Sequence, residues 1–466
     1  MTLRAEEETR PAGLAFDELK ARIGRREATV AVIGLGYVGL PLATAFSKVG
    51  FQVIGVDLDV ERVAMLNSGQ SYIPDVNASL IQELRSADRF QATDDYDRIR
   101  QADVIFICVP TPMTPSKAAD ISFIVAAASG ITQRLRRGQL VILQSTTHPG
   151  TTEEEVLPIL ERSGLRAGLD FHLAFCPERI NPGDRTYTVF NTPKVVGGLT
   201  ERCAQLAATV FQQLTPEVFV VSSPRAAEMS KLLENTFRSV NIALVNELAK
   251  LCERMGIDIW EVIAAASTKP FGYLPFYPGA GVGGHCIAVD PYFLSWKARE
   301  YDFYTKFIEL AADVNHSMPY HVVEKVIDAL NWRSAPVRGA KVLVLGVAFK
   351  RDIDDARNSP AARVVELLLE RGAEVSYHDP YVPAFTVGKD ALYQAEITLK
   401  STPLTKETLA SVDCVVIVTG HTTIPYDLVV KHASVVVDCC NATARLAPGD
   451  RQKIVRLGAP APQPTS

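Results

Sequence analysis

The stretch TVAVIGLGYVGLPLATAFSKVG, residues 29–50, with QVIGVD, residues 52–57, decides the fold. An apolar run, Val30 to Ile33, enters Gly34-x-Gly36-x-x-Gly39, a helical pattern closes at Gly50, and a second apolar run ends on Asp57. A GxGxxG sequence alone is weak evidence. Here it follows a strand, opens a helix and has an acid 23 positions after its first glycine. That context is a dinucleotide fingerprint: the loop Gly34, Gly36, Tyr37, Val38, Gly39 brings a pyrophosphate to a helix N-terminus, and Asp57 accepts the ribose hydroxyls. An acid there repels a 2′-phosphate, so NAD is favoured over NADP.

Further apolar runs, Asp103–Val109, Leu140–Thr146, His172–Glu178 and Pro193–Gly198, continue a sheet, each uninterrupted as buried parallel strands are. Their ends carry Thr111, Thr146 and Glu178, and strand C-termini face the ligand crevice of a doubly wound sheet. The threonines read equally well as loop or cap residues. A glutamate ending an apolar strand is harder to dismiss. From Pro224 the spacing becomes helical, Met229, Leu232, Leu233, Phe237, Val240, Leu244, Leu248 and Leu251, predicting a helix of roughly thirty residues that reaches Met255. Lys231 and Asn235 stand one turn apart on it, although a helix lysine is usually only a solvated charge. Helices are also predicted over 257–266 and about 303–330, with no strand between, so this region is expected to join two α/β domains and to offer an apolar dimer surface.

At Gly339 strand, glycine, helix, strand and acid recur, ending on Asp379, with Gly346 as the one loop glycine. Such a loop suits a smaller nucleotide than a dinucleotide, with Lys350 and Arg357 to neutralise phosphate or simply to solvate the loop. The predicted fold is α/β, two Rossmann-like doubly wound domains joined by a central helical region. Its predicted divisions are an extension over 1–27, an NAD domain over 28–222, a helical and catalytic-loop region over 223–332, a second Rossmann-like domain over 333–457, and a disordered Pro-rich tail over 458–466. The extension carries a short helix around Phe16–Ile23 and no identifiable chemistry.

A chain of 466 residues accommodates two or three domains, and 47% hydrophobic with 22% charged residues is ordinary globular composition. The net charge of −5 argues against a nucleic-acid partner. The charged N-terminus and the lack of a long apolar run predict a cytoplasmic chain that does not span a membrane. Five of the eight cysteines, Cys108, Cys203, Cys252, Cys414 and Cys439, lie in apolar or helical patterns, and no CxxC spacing calls for a metal.

Cys286 is different. In YPGAGVGGHCIAVDPYFL, residues 277–294, four glycines precede it and Asp290 follows, so the backbone there reads as a docking surface. Oxidising an alcohol to an aldehyde needs a hydride acceptor and a base. Going on to the acid needs a nucleophile to turn the aldehyde into a second hydride donor, which a cysteine does through a thiohemiacetal and a thioester. In that scheme Cys286 is the nucleophile, Lys231 and Asn235 stabilise oxyanion charge, Asp290 with a water accepts the proton, and Glu178 assists hydrolysis. His285 is placed to lower the thiol pKa only if two adjacent side chains converge.

GLGYVGLPLA, STTHPGTT, PERINPGD, EMSKLLENTF, GVGGHCIAVDPYFL and GVAFKRDIDDARNSP resemble, in order and across roughly residues 28–445, the signature blocks of the UDP-glucose/GDP-mannose dehydrogenase family. The resemblance implies an NAD-dependent four-electron oxidation at C6 of a nucleotide sugar by a homodimer or higher homo-oligomer. Carried over by motif, catalytic residues fall on Cys286, Lys231, Asn235, Asp290, Thr146 and Glu178. Cofactor contacts fall on the Gly34–Gly39 loop, Asp57, Arg62, Thr111 and Thr146, and substrate contacts on Tyr277, Gly283, Phe349, Lys350 and Arg357. STKPFGYLPFYPGAGVGGHC and PERINPGD are most similar to the branch that oxidises UDP-N-acetylglucosamine to its uronate for surface polysaccharide precursors. UDP-glucose, UDP-N-acetylmannosamine, UDP-N-acetylgalactosamine and GDP-mannose remain alternatives. Relatives on the UDP-glucose side differ at Asn181-Pro182-Gly183, and many relatives carry proline where this chain has Ala288.

Overall fold

The computed structural model describes residues 12–73, 75–114, 116–180, 186–389, 393–446 and 452–461. Its chain divides into two compact units, Met1–Glu234 with Tyr292–Tyr301, and Asn235–Pro291 with Asp302–Ser466.

The first unit is built on eight strands: β1 (Thr29–Ile33), β2 (Gln52–Val56), β3 (Phe90–Thr93), β4 (Val104–Ile107), β5 (Leu140–Leu143), β6 (His172–Phe175), β7 (Lys194–Gly198) and β8 (Val218–Val221), in the spatial order 3-2-1-4-5-6-7-8. The strands from β3 through β6 run parallel. The expectation of a wholly parallel sheet fails at one place: β7 pairs antiparallel to β6, and β8 then follows it in parallel. The chain direction thus reverses between Phe175 and Lys194, a feature strand composition does not encode. β3 and β8 are also additions to the predicted set. β3, Phe90–Thr93, alternates apolar and polar residues, and β8, although apolar throughout, is largely solvent-facing.

The N-terminal helix α1 (Ala12–Gly24) buries Phe16, Leu19 and Ile23 in the same apolar core as β1 and α2 (Gly39–Lys48). Arg22 and Arg136 both pair with the buried Asp103 at 2.8 Å, and Asp103 also accepts the Thr29 N–H at 2.9 Å, which fixes where β1 begins.

The predicted long helix is α3 (Pro224–Met255, 32 residues). In the second unit α4 (Ile259–Ala266), α5 (Lys306–Asn331) and α6 (Pro360–Glu370) pack around a sheet of β9 (Lys341–Leu345), β10 (Glu374–His378), β13 (Cys414–Ile417), β14 (Val436–Asp438) and β15 (Ile454–Arg456), all parallel, in the order 10-9-13-14-15. β11 (Ala384–Val387) and β12 (Ile397–Lys400) form a separate antiparallel hairpin. The fold class therefore follows the expectation, two parallel-sheet α/β halves with helices between. The tail begins later than its composition implies: the Gly458 N–H donates to Glu253 at 2.6 Å, its carbonyl accepts the Ile259 N–H at 2.8 Å, and Ala459 is buried. Residues 462–466, like Asn181-Pro182-Gly183, lie outside the described residues.

Candidate active site

In the first unit each fingerprint glycine has its own reason. Gly34 has φ +88°, and a Cβ on Gly39 would stand 1.8 Å from the Gly34 carbonyl oxygen, so α2 can start this close to β1 only without a side chain. Gly36 differs, since nothing lies within 4 Å of where its Cβ would be, and that open side is what a pyrophosphate requires. Asp57, partly exposed at the end of β2, accepts the Leu35 N–H at 2.8 Å and the Asp59 N–H at 3.0 Å. Each of its oxygens keeps a free lone pair for a ribose hydroxyl. Arg62 pairs with Asp59 at 3.2 Å and lies over the Tyr72 ring, whose hydroxyl donates to the Leu35 carbonyl at 2.7 Å. Tyr37 is exposed and Val38 packs against the core. These residues fit an NAD cofactor.

The second unit repeats the layout and closes it. Asp379, at the end of β10, is buried and accepts from Val347 N at 2.7 Å, Ala348 N at 3.0 Å, Tyr381 N at 2.8 Å, Val382 N at 3.1 Å and His421 Nε2 at 3.0 Å. Burial would raise its pKa, but His421 and the backbone donors hold it below the usual carboxylate range. His421 Nδ1 accepts the Asp352 N–H at 2.9 Å, which makes Nε2 the donor. An acid with five donors is a structural staple, whereas Asp57 keeps room for a ligand.

Glu178 lies just beyond β6, buried, with Lys194 Nζ at 3.1 and 3.2 Å from its two oxygens, Gln144 Nε2 at 2.7 Å, and the Arg179 and Ile180 N–H groups at 2.7 and 2.8 Å. Burial pushes its pKa up. The Lys194 charge and the backbone donors outweigh that and hold it low. Lys194 itself is completely buried. Sequence reading passed over it; its signal was a lysine opening the apolar run Pro193–Gly198. Thr111 Oγ1 donates to the Thr146 carbonyl at 2.7 Å, which ties the ends of β4 and β5 together. Lys231, 8% exposed, makes no hydrogen bond or ion pair among the described residues. Glu228, three residues earlier on α3, accepts from Gly150 N at 2.5 Å, Thr152 N at 2.9 Å and Thr152 Oγ1 at 2.6 Å, and burial raises its pKa. It anchors the segment after β5, another role absent from the sequence reading.

The cysteine loop belongs to the second unit. Its glycines are there for backbone packing: a Cβ on Gly283 would meet the Asn358 carbonyl at 2.8 Å and Phe349 Cβ at 2.9 Å, and Gly284, at φ +85°, would meet the Phe349 ring at 2.8 Å. The Gly284 N–H donates to the Arg357 carbonyl at 3.2 Å, and Asn358 Nδ2 donates to the Gly284 carbonyl at 3.3 Å. The loop thus docks on the segment following β9. This binds Gly283 and Phe349 into the scaffold of the thiol, whatever else they touch. The Cys286 carbonyl accepts the Val289 and Asp290 N–H groups at 3.0 and 2.8 Å, so a turn at the cysteine leads into the helix Asp290–Ala298. Asn235 Nδ2 donates to Asp290 Oδ2 at 2.6 Å. His285 Nδ1 is 3.1 Å from Cys286 Sγ, so the two adjacent side chains do converge. Arg357 is held by a bidentate contact to Asp355, at 2.6 Å for the closest pair. Tyr277 is exposed and stacks on Trp260 with ring centroids 6.0 Å apart. None of the eight cysteines is in a disulfide, and Cys286 and Cys440 are partly exposed. No described helix is long and apolar enough to cross a membrane.

Comparison with known proteins adds to this geometry. Residues 28–215 match the NAD binding domain of the UDP-glucose/GDP-mannose dehydrogenase family, residues 225–317 its central domain and residues 343–445 its UDP binding domain. The chain is 40% identical over 380 residues to a UDP-N-acetyl-D-glucosamine 6-dehydrogenase of Pseudomonas aeruginosa, covering 81% of this chain and 88% of that one. It is 38% identical over 355 residues to a UDP-N-acetyl-D-mannosamine dehydrogenase of Pyrococcus horikoshii, covering 76% and 84%. The solved structure of UDP-D-ManNAc dehydrogenase from Pyrococcus horikoshii superimposes with a TM-score of 0.83 at 32% identity, over 92% of this chain and 99% of that one. A UDP-glucose dehydrogenase from Pyrobaculum islandicum gives 0.80 at 29%, over 93% and 98%.

Proposed function

We propose, for a chain that belongs to the UDP-glucose/GDP-mannose dehydrogenase family and is therefore an NAD-dependent nucleotide-sugar dehydrogenase, that it oxidises the C6 hydroxyl of UDP-N-acetylglucosamine to the carboxylate. The observation that carries the route is Cys286, a partly exposed thiol on a docked loop just ahead of a helix, in the same unit as the Asn235–Asp290 pair. NAD, when bound by the Gly34–Gly39 loop and Asp57, supplies a hydride acceptor twice for each sugar.

In this scheme Asp290, held by Asn235, receives the alcohol proton through water. The Cys286 sulfur adds to the aldehyde carbon, and oxidation of that adduct leaves a thioester which water cleaves to the acid and the free thiol. Lys231, a buried ammonium with no partner among the described residues, is suited to an oxyanion, since a buried charge without a counter-charge is costly. Glu178 is held as a carboxylate by Lys194, so its contribution to hydrolysis is to orient water by accepting its hydrogen bond. In the second unit Lys350 and Arg357 follow β9 in the UDP binding domain and are assigned to the diphosphate, and the exposed face of Tyr277 to the substrate.

Similarity to the Pseudomonas aeruginosa enzyme supports the N-acetylglucosamine sugar. Similarity to the Pyrococcus horikoshii enzyme supports UDP-N-acetylmannosamine as a second reading. The product, a nucleotide-linked uronate, suits glycosyl transfer into a surface polysaccharide. Purified protein with NAD and a panel of UDP and GDP sugars tests the assignment by NADH formation. The highest kcat/KM is expected for UDP-N-acetylglucosamine, and a clear preference for UDP-glucose or GDP-mannose overturns it.

A further inference from the structure

We infer that His285 is the base that ionises Cys286, and that Asp355, from the loop after β9, is a positioning residue behind it. The inference rests on the thiol route above and adds to it the group that makes the thiol a nucleophile. His285 Nδ1 lies 3.1 Å from Cys286 Sγ, within reach of a thiol S–H, and His285 Nε2 lies 3.9 Å from Asp355 Oδ2 on the opposite side of the ring. Phe349 meets the ring edge-on at 6.1 Å, so the imidazole is held between an aromatic wall and a carboxylate.

Proton transfer here is a closed exchange. The S–H bond breaks, its electron pair stays on sulfur, the proton passes to Nδ1, and imidazole becomes imidazolium. A thiolate is the attacking species, and a neighbouring protonated histidine together with a helix N-terminus are the two devices that lower a thiol pKa. The first arises once His285 takes the proton, and the turn closed by the Cys286 carbonyl on the Val289 and Asp290 N–H groups sets the cysteine just ahead of the helix Asp290–Ala298. Charged groups at the pair include Asp355, its bidentate partner Arg357, and Asp290, which Asn235 restrains from α3. Arg357 offsets part of the Asp355 charge, so the carboxylate steadies the imidazolium without pairing with it directly. The docked glycines gain a second purpose: they bring the His285 ring to the segment that carries Asp355. The second unit thereby contributes a charge to the chemistry as well as a surface for the nucleotide.

The test reads the thiol and needs no turnover. The full-length protein is alkylated with iodoacetamide across pH 5 to 10, and modification of the Cys286 peptide is followed by mass spectrometry. An isolated thiol titrates near about 8.5, and a histidine-paired one below about 7.5. The wild-type rate should reach half its plateau at least about one pH unit below that of His285→Ala, giving about a tenfold rate difference at pH 6.5. His285→Gln, which keeps bulk and hydrogen bonding but cannot take the proton, should behave like alanine. Asp355→Asn should move the midpoint upward by a smaller amount. Profiles of either His285 variant that overlay wild type overturn the base assignment. An unchanged Asp355→Asn profile overturns the role of Asp355. Failure of the substrate assignment shows instead in the sugar panel and leaves these profiles as they are.

Discussion

Lys194 and Glu178 form a buried ion pair in the first unit, and each makes the other tolerable. With the ammonium completely buried and the carboxylate nearly so, Lys194→Met leaves an uncompensated charge in the core. The expected loss is about 3 kcal/mol or more of stability, seen as a lower thermal unfolding midpoint, and Glu178→Gln in the same chain should recover part of it. His172 gives a residue-level pH dependence. Burial, reinforced by the Arg202 charge, lowers its pKa to about 4, and its ring lies against Phe16 of α1. The folded state therefore keeps the ring neutral where the unfolded chain would protonate it. That contribution is complete above about pH 6.5 and is lost as the pH falls from there through about 4. Thermal midpoints at pH 7.5 and 5 should differ less in His172→Gln than in wild type. Neither residue could be assigned from sequence: Lys194 and His172 open strands, and an unpaired lysine or histidine there reads as an edge residue.

At the scale of elements, the glycine spacing was legible as a pattern, but its reasons differ by position: a Cβ on Gly34, Gly39, Gly283 or Gly284 would meet neighbouring atoms, whereas Gly36 is open. Gly39→Ala places a Cβ 1.8 Å from the Gly34 carbonyl oxygen, so cofactor affinity measured by fluorescence titration should fall at least about tenfold. Gly283→Ala forces the cysteine loop off Phe349 and Asn358. Cofactor affinity should stay within a few-fold while acid formation drops by about a hundredfold, since a shift of about an ångström at the reacting group costs that much. The reversal between β6 and β7 was not legible, because strand composition does not encode direction. The distinction between Asp57 and Asp379 was legible only in part. Both end a second strand, and the single glycine of the loop at Gly346 reads as poorly suited to a dinucleotide, but it does not reveal that five donors consume the acid.

For the whole molecule, α3 carries a row of exposed apolar side chains, Leu233, Phe237, Leu244, Leu248 and Leu251, at helical spacing. Large exposed apolar patches on a folded chain mark contact sites, and the row supports the homodimer expected from sequence. Sedimentation should give a dimer or higher oligomer, and Phe237→Glu with Leu244→Glu should shift it toward monomer. The two-domain plan was readable because strand, glycine, helix, strand and acid recur at Gly339 as at Thr29. The central account is that one sulfur captures a half-oxidised sugar so that a second oxidation can follow. The most direct measurement is NADH formed per UDP-N-acetylglucosamine consumed, with mass spectrometry of Cys286 during turnover. Two NADH per sugar, a carboxylate product and substrate carbon bound to the Cys286 sulfur are predicted; one NADH, a free aldehyde and an unmodified thiol would contradict it.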